Sequence, residues 1–367
     1  AVLQYTGGAT GLPKGAMLTH GNLSANIEQL RRWFPAVEEG CERFLAILPF
    51  FHVFAMTSIL NLGVAVGAEI ILLPRFDLGE TLEVIDEKKP TLFPAVPTLY
   101  GAINGHEDLS EFDLSSIKYC ISGGAPLPIE IKRAFEERTG CVLVEGYGLT
   151  EASPVLTYNP LSGEAKDGSI GIPLSATRLE VRDLEDSGKV LDVGEKGEIC
   201  AAGPQIMAGY LDRPEETGEV LEGSWLRTGD VGYMDEDGYF FLVDRIKDLI
   251  ICSGYNVYPR VIEEAIHLHP LVAQTSVIAI ADEYRGQSPK AFVQLVEGAE
   301  LEAGELLEFL IDKLSPIEMP GEIEFRAHLP VTLMGKLSKK QNPPSKIKSQ
   351  QLSKCRFAIS TGRLEVS

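Results

Sequence analysis

A glycine-rich stretch near the start of the chain carries the first sign of chemistry. Residues 6–15 read TGGATGLPKG and follow an apolar, strand-like run. Glycines let consecutive backbone N–H groups turn toward one anion, hydroxyls add donors, and Lys14 supplies positive charge. A flexible linker would have a similar composition. The stretch is not a Walker P-loop, because Pro13 precedes the lysine and Gly15 stands where Mg²⁺ binding needs Ser or Thr.

Four further motifs follow along the chain. Residues 122–127 read SGGAPL, 145–151 read EGYGLTE, 225–230 read WLRTGD, and 329–336 read LPVTLMGK. Each has a plain structural explanation when it is taken alone. The glycine pairs suit tight strand–helix turns, Asp230 suits a turn after glycine, and Lys336 suits an exposed, solvated position. Their combination and order are far more specific than any single motif.

Residues 5–20, YTGGATGLPKGAMLTH, resemble the signature loop of the adenylate-forming superfamily. That superfamily comprises acyl-CoA synthetases, peptide-synthetase adenylation domains and luciferases. The resemblance continues through the ordered motifs to about residue 340 and is closest to the bacterial long-chain fatty acid–CoA ligases. It implies the cofactors and co-substrates ATP, Mg²⁺ and CoA, with a fatty acid as the substrate.

The resemblance implies a nucleotide site built from residues of all these motifs. In it, Tyr147 stacks on adenine, Asp230 accepts hydrogen bonds from both ribose hydroxyls, and Arg245 adds a ribose or phosphate contact. Lys247 falls at the hinge before a mobile domain. The implied nucleotide-binding residues are Thr6, Gly7, Gly8, Ala9, Thr10, Gly11, Lys14, Gly124, Ala125, Glu145, Gly146, Tyr147, Gly148, Thr150, Asp230, Arg245 and Lys247.

The resemblance implies that Lys336 is the catalytic lysine and that Glu151 and Thr150 also act in catalysis. A carboxylate that attacks the α-phosphate of ATP must approach another anion, and a cation between them neutralises the developing charge. Glu151 and Thr6 are the implied Mg²⁺ ligands, since Mg²⁺ prefers hard oxygen donors. After Lys340 the sequence departs from the family pattern.

An uncharged run from Phe44 to Ala68 is long enough to span a bilayer. Its Pro, His, Asn and Gly residues and the lack of flanking basic clusters favour instead a buried strand, loop and helix. The resemblance places the acyl site here, with His52 near the carboxylate and Phe51 and Met56 as walls. A satisfied core histidine and ordinary aromatic packing are the plain alternatives. For the CoA arm, the resemblance implies Gly254 and Tyr255.

Three functions remain open. The first is a fatty acid–CoA ligase that forms acyl-adenylate and pyrophosphate and then acyl-CoA and AMP. The second is an adenylation domain that loads a carrier protein, although no carrier motif follows and residues 253–259 (SGYNVYP) look more like those of fatty acyl ligases. The third is a non-catalytic fragment that retains ligand binding.

The elements that must position these residues indicate an α/β fold. Buried strands are predicted at 69–74, 91–96, 117–122 and 141–145, with a helix at 127–138 between the last two, which favours a parallel sheet. Strand-like segments at 179–182, 198–202 and 239–243 alternate with turn clusters and predict an antiparallel β subdomain. Helices near 261–267 and 304–314 and strands near 275–281 and 291–296 predict a small α+β domain, which the resemblance implies to be mobile.

The elements and the resemblance together predict three segments. The resemblance implies that residues 1–245 are an AMP-binding domain that lacks its N-terminal part, and that residues 246–340 are a small C-terminal domain that carries the catalytic lysine. Residues 341–367 are predicted to be an atypical, disordered tail. The 33 basic against 53 acidic residues give a net charge of −20, which argues against binding to nucleic acid. Six scattered cysteines and no visible signal peptide predict a cytoplasmic protein. Peripheral contact with the inner membrane and a homodimer stay open.

Overall fold

The computed structural model describes residues 1–6, 13–161, 165–330 and 339. Within these ranges the strands are β1 Val2–Thr6, β2 Lys14–Leu18, β3 Arg43–Ala46, β4 Glu69–Leu72, β5 Leu92–Ala95, β6 Tyr119–Ser122, β7 Val142–Gly148, β8 Val155–Tyr158, β9 Ile172–Pro173, β10 Arg178–Arg182, β11 Gly197–Ala202, β12 Leu221–Glu222, β13 Trp225–Met234, β14 Phe240–Arg245, β15 Ile250–Cys252, β16 Tyr255–Val257, β17 Val272–Asp282, β18 Gly286–Leu295 and β19 Glu322–Phe325.

The helices of the same ranges are α1 His20–Trp33, α2 Val53–Ala55, α3 Leu62–Ala65, α4 Leu78–Lys88, α5 Pro97–Asn104, α6 Ile129–Thr139, α7 Pro214–Val220, α8 Pro259–His267 and α9 Ala303–Leu310. A π-helical stretch, Met56–Asn61, joins α2 to α3. Short 3₁₀ turns occupy Leu109–Glu111, Thr150–Ala152 and Ile246–Asp248.

The main sheet has seven strands in the order β4-β3-β5-β6-β7-β8-β9. The strands from β4 to β7 pair in parallel, and β8 and β9 add antiparallel pairs. Successive residues of a strand point to opposite faces. Accordingly, Phe44 packs into one apolar cluster with α1 and the 53–65 helices, and Leu45 packs into another with α4, α5 and α6. This arrangement confirms the predicted α/β class.

One strand of this sheet differs from its prediction. Residues 69–74 were expected to form a buried strand, but β4 pairs only with β3 at the edge of the sheet, and Leu72 is 64% exposed. An apolar run does not reveal whether a strand lies in the middle of a sheet or at its edge, because that depends on the order of the strands.

The uncharged run from 44 to 68 forms β3, a loop and the helical segment from α2 to α3. Most of its side chains are buried, and Phe54, Ile59 and Leu62 belong to the core under the main sheet. The prediction of a buried strand, loop and helix is therefore confirmed. Across the described residues, no helix combines the length and apolar character needed to cross a membrane.

Two antiparallel sheets follow. The first has the order β10-β11-β13-β12 with β14 paired to β13, as the turn clusters predicted. The second has the order β16-β15-β18-β17, with β19 parallel to β18. Helices α8 and α9 cover the second sheet, and Ile262, Ile266, Leu306 and Leu310 are its buried contacts. The compact α+β pattern predicted for the end of the chain is thus present.

Candidate nucleotide and acyl site

The glycine-rich stretch is held between two paired strands. β1 and β2 are antiparallel, and their register places Thr6 opposite Lys14. Gly7, Gly8, Ala9, Thr10 and Gly11, which were predicted to bind phosphate, lie outside the described residues. The described residues of this stretch are 6 and 13–15, and among them Thr6 and Lys14 face each other across the hairpin.

A segment far along the chain packs against β2. The amide of Met17 donates to the carbonyl of Gly209 at 2.8 Å, the amide of Ala208 donates to the carbonyl of Met17 at 3.0 Å, and the amide of Leu211 donates to Gly15 at 2.9 Å. These bonds bring the ring of Tyr210 to 5.1 Å from Lys14 Nζ.

Glu151 reaches the same place from the turn after β7. Tyr210 Oη donates to Glu151 Oε1 at 2.7 Å, and the amide of Met207 donates to the Glu151 carbonyl at 2.8 Å. Thr150 precedes Glu151 and begins the 3₁₀ turn. Lys14 and Glu151, predicted from different motifs, are thus linked through Tyr210, a residue that the sequence analysis did not single out.

Asp230 lies in a second buried group of polar side chains. Tyr147 Oη donates to Asp230 Oδ2 at 2.7 Å, and Arg245 Nε lies 3.0 Å from Oδ1. The register of β13 and β14 places Asp230 opposite Arg245. The amide of Asp230 also donates to Thr228 Oγ1 at 3.1 Å. The structure therefore joins three predicted residues, Tyr147, Asp230 and Arg245, through one carboxylate.

Burial sets the protonation of this group. It raises the pKa of Asp230 above its usual range, while Arg245 and the hydroxyl of Tyr147 act in the opposite direction. Burial, with Asp230 nearby, raises the pKa of Tyr147 well above that of a free tyrosine. Tyr147 therefore keeps its proton and donates it to Asp230 Oδ2, an acceptor that a hydroxyl-bearing ligand can share.

Glu145 is partly buried at the end of the parallel portion of β7. Its Oε1 accepts a hydrogen bond from the amide of Leu127 at 3.2 Å, which links the SGGAPL and EGYGLTE motifs. Burial raises the pKa of Glu145 to about 7, and the charge of Arg260 on α8 opposes that rise. A small pocket of about 10 Å³ adjoins Glu145 and Lys132.

Backbone conformation and close packing explain why several positions in these motifs are glycine. A Cβ on Gly146 would lie 2.0 Å from a ring carbon of Tyr158, and one on Gly148 would lie 2.0 Å from the carbonyl oxygen of Pro154. Gly124 has φ +81° in the turn after β6, and Ala125 follows it partly exposed. Close packing between β7 and β8 therefore suffices to explain Gly146 and Gly148, whether or not a ligand approaches them.

His52, Phe51 and Met56 lie at the start of the 53–65 helical segment. His52 Nδ1 accepts from the amide of Phe54 at 3.3 Å and caps the first turn. Phe51 is 70% exposed, and Met56 packs against the core that also contains Tyr147. The ring of Phe54 faces Gly123, where a Cβ would meet it at 3.2 Å. The structure thus brings the proposed acyl segment next to the SGGAPL turn.

Gly254 and Tyr255 belong to the hairpin of β15 and β16. Ser253 and Gly254 form its two-residue turn, with φ +52° and +82°. Two-residue hairpin turns require such positive φ angles, which glycine adopts without steric cost. Tyr255 is 67% exposed. Lys247 lies in the 3₁₀ turn between β14 and β15, and its charge lowers the pKa of Asp230. Lys336 lies outside the described residues.

The sequence around Tyr210 gives no indication that this residue contacts Glu151. Residues 209–216 read GYLDRPEE, which looks like an ordinary turn followed by the proline-led helix α7. Only the antiparallel contact with β2 brings the tyrosine hydroxyl to Glu151. A long-range contact of this kind leaves no periodic signature in a single sequence.

The family of the chain follows from matches to two family models. Residues 1–211 match the model for AMP-binding enzymes, and residues 261–336 match the model for the AMP-binding enzyme C-terminal domain. The chain belongs to the AMP-binding enzyme family, and the resemblance predicted from the motifs is confirmed.

The chain is also similar to individual proteins and solved structures. The chain is 50% identical over 341 residues to a long-chain-fatty-acid–CoA ligase of Bacillus subtilis, covering 93% of this chain but 61% of that protein. It is 40% identical over 339 residues to a feruloyl-CoA synthase of an Amycolatopsis species, covering 92% and 68%. The crystal structure of ATP-bound MatB from Rhodopseudomonas palustris superposes with a TM-score of 0.87 at 32% identity, covering 93% and 67%.

Proposed function

We propose that the protein is a fatty acid–CoA ligase. In the first step the carboxylate of a medium- or long-chain fatty acid attacks the α-phosphorus of ATP, which gives acyl-adenylate and releases pyrophosphate. In the second step the sulfur of CoA attacks the acyl carbon, which gives the thioester and releases AMP. The likeness to the Bacillus subtilis ligase supports this substrate class, although the chain spans 61% of that protein's length.

The observation that carries the proposal is the convergence of separate motifs on two carboxylates. Lys14 and Glu151 meet at Tyr210, and Tyr147 and Arg245 meet at Asp230. The first group offers a cation and an oxygen ligand for a metal-bound triphosphate, and the second offers an acceptor for ribose hydroxyls. Tyr147 of one group and Glu151 of the other belong to the same motif, which covers the second half of β7 and the turn after it.

The donor set around Glu151 fits a Mg²⁺ ion that arrives with the nucleotide. Mg²⁺ usually takes one or two protein carboxylates and completes its coordination with phosphate oxygens and water. Oε1 of Glu151 accepts from Tyr210, and Oε2 accepts no hydrogen bond from the described residues. We propose Glu151 Oε2 and the Thr6 hydroxyl as the protein ligands. Bound Mg²⁺ would neutralise phosphate charge while the chain's own residues orient the triphosphate.

The remaining predicted residues complete the proposal. Lys336 would lie between the attacking carboxylate and the α-phosphate, with Thr150 and the glycine-rich loop as phosphate contacts. His52, Phe51 and Met56 would border the acyl group, and Gly254 and Tyr255 the CoA arm. The corresponding organisation is an AMP-binding domain at 1–245, a small C-terminal domain at 246–340 and a tail at 341–367. Matches to two family models, at 1–211 and 261–336, support two domains.

The test is acid-dependent exchange of labelled pyrophosphate into ATP, followed by release of AMP on addition of CoA. We expect exchange with fatty acids and none with amino acids. Exchange with amino acids and no dependence on CoA would favour a carrier-loading adenylation domain. Ferulate belongs in the acid panel because of the Amycolatopsis relative. Binding of ATP without exchange by any acid would refute the ligase assignment for this chain and leave a ligand-binding protein.

Lys336→Ala separates the two half-reactions. We expect loss of pyrophosphate exchange and retention of thioester formation from supplied acyl-adenylate, because only the first step brings two anions together. Equal loss of both half-reactions would contradict the role proposed for Lys336.

A further inference from the structure

Tyr210 contacts two residues of the proposed ATP site with different parts of one side chain. Its hydroxyl donates to Glu151 Oε1 at 2.7 Å, and its ring lies 5.1 Å from Lys14 Nζ. The side chain is 7% exposed, and it packs in the core that also contains Ala16, Tyr147 and Ala152. One rigid aromatic side chain therefore spans the distance between a cation and a carboxylate from different motifs.

The backbone around Tyr210 is fixed on both sides. Tyr210 bridges Ala16 of β2, and its own amide donates to Thr217 Oγ1 of α7 at 2.9 Å. The amide of Met207 donates to the carbonyl of Glu151. These bonds fix the backbone of Tyr210 relative to that of Glu151, and packing of the buried ring restrains the side chain itself. The tyrosine thus has the support that a residue needs if it is to orient another side chain.

The direction of the hydrogen bond is also fixed. An ionised carboxylate can only accept hydrogen bonds, so the phenol O–H of Tyr210 is the donor and Glu151 Oε1 is the acceptor. With Oε1 occupied by this donor, the carboxylate has one orientation and its second oxygen remains for a ligand.

We propose that Tyr210 is a positioning residue for the Mg·ATP complex. Its hydroxyl orients the Glu151 carboxylate for the metal, and its ring supports Lys14 beside the phosphates. The inference rests on the proposed function, and it assigns a role to a residue outside the motifs that suggested that function. Hydrogen-bond partners of metal ligands commonly matter to metal affinity as much as the ligands' own geometry.

The two parts of the side chain can be tested separately by measuring ATP affinity with excess Mg²⁺ and with excess EDTA. Tyr210→Phe removes the hydroxyl and keeps the ring. We expect about tenfold weaker binding of Mg·ATP, the lower end of the range for such partners, and unchanged binding of metal-free ATP. Tyr210→Leu also removes the ring, and we expect metal-free ATP to bind roughly threefold more weakly as well.

Tyr233→Phe is the matched control, because Tyr233 stacks on Phe241 in the antiparallel sheet; it should leave both affinities unchanged. The Mg²⁺ concentration that half-saturates pyrophosphate exchange should rise for Tyr210→Phe in parallel with the loss of affinity. Unchanged Mg·ATP affinity in Tyr210→Phe, or equal losses for Mg·ATP and metal-free ATP, would overturn the inference. A wild-type chain that binds ATP in neither form would instead refute the proposed function.

Discussion

Glu145 should make the stability of this protein fall as the pH rises from about 5 to 7. Its carboxyl group is partly buried where the parallel portion of β7 ends, and it accepts a hydrogen bond from the amide of Leu127. Burial raises its pKa from 4.5 to about 7. Arg260 and Lys132 oppose this rise, and Glu264 adds to it. Replacement by glutamine keeps the shape and the acceptor and removes the titration.

The sign follows from comparing the folded and unfolded states. Below pH 4.5 the group is protonated in both, so its contribution to stability is fully present. Between pH 4.5 and 7 the unfolded chain loses the proton and the folded chain keeps it, so the free energy of unfolding falls by about 1.4 kcal/mol per pH unit. Above pH 7 both states are ionised. The whole change is roughly 3 kcal/mol as an upper bound, since solvent reaches part of the side chain.

The assay is urea unfolding of the wild type and of Glu145→Gln at several pH values from 5 to 8, without nucleotide. We expect the variant to gain stability relative to the wild type as the pH rises, reaching about 2–3 kcal/mol at pH 8. Glu137→Gln, on the exposed side of α6, is the matched control and should show no such trend. If the free energies of unfolding of the wild type and Glu145→Gln changed equally with pH, the reasoning would be refuted.

Three other predictions concern single side chains. Gly148→Ala should reduce the free energy of unfolding by about 2 kcal/mol or more in urea titrations, because its methyl group would lie 2.0 Å from the carbonyl oxygen of Pro154. Asn26→Ala should cost about 2–3 kcal/mol by the same measurement, since its buried amide bonds both the N–H and the C=O of Val155 at 3.1 and 2.9 Å. An unchanged free energy of unfolding in urea would contradict either prediction. Asp230→Asn should weaken ATP binding about tenfold by calorimetry, because charge-assisted bonds are roughly twice as strong as neutral ones; unchanged affinity would exclude Asp230 from the ribose site.

Local patterns predicted the fold class well because each element has its own signature. The strand–helix–strand order around α6 implied a parallel sheet, and turn clusters implied the antiparallel sheets that the structure contains. The edge position of β4 was missed, since strand order is a tertiary property. The Ser253–Gly254 turn similarly has a local reason, positive φ angles, that a functional motif alone would not suggest.

The sequence identified most residues of the candidate site but not the contacts between them. Motifs identified Tyr147, Asp230 and Arg245 separately, and the structure joins them through one carboxylate. The resemblance implied that Gly146 and Gly148 bind nucleotide, yet the packing of β7 against β8 already requires glycine at both positions. Tyr210 was not predicted at all, because its importance depends on contacts with residues that are distant in sequence.

The backbone bonds between β2 and residues 208–211 also set an order for assembly during synthesis. They join residues 15–17 to a segment made much later. At about 5–20 residues per second, residue 211 follows residue 17 by roughly 10–40 s. Such non-local pairing is slow to form because a long loop must close first. During this interval the nascent chain lacks the segment that holds Tyr210 next to Glu151, so this part of the proposed ATP site forms only after residue 211 has been made.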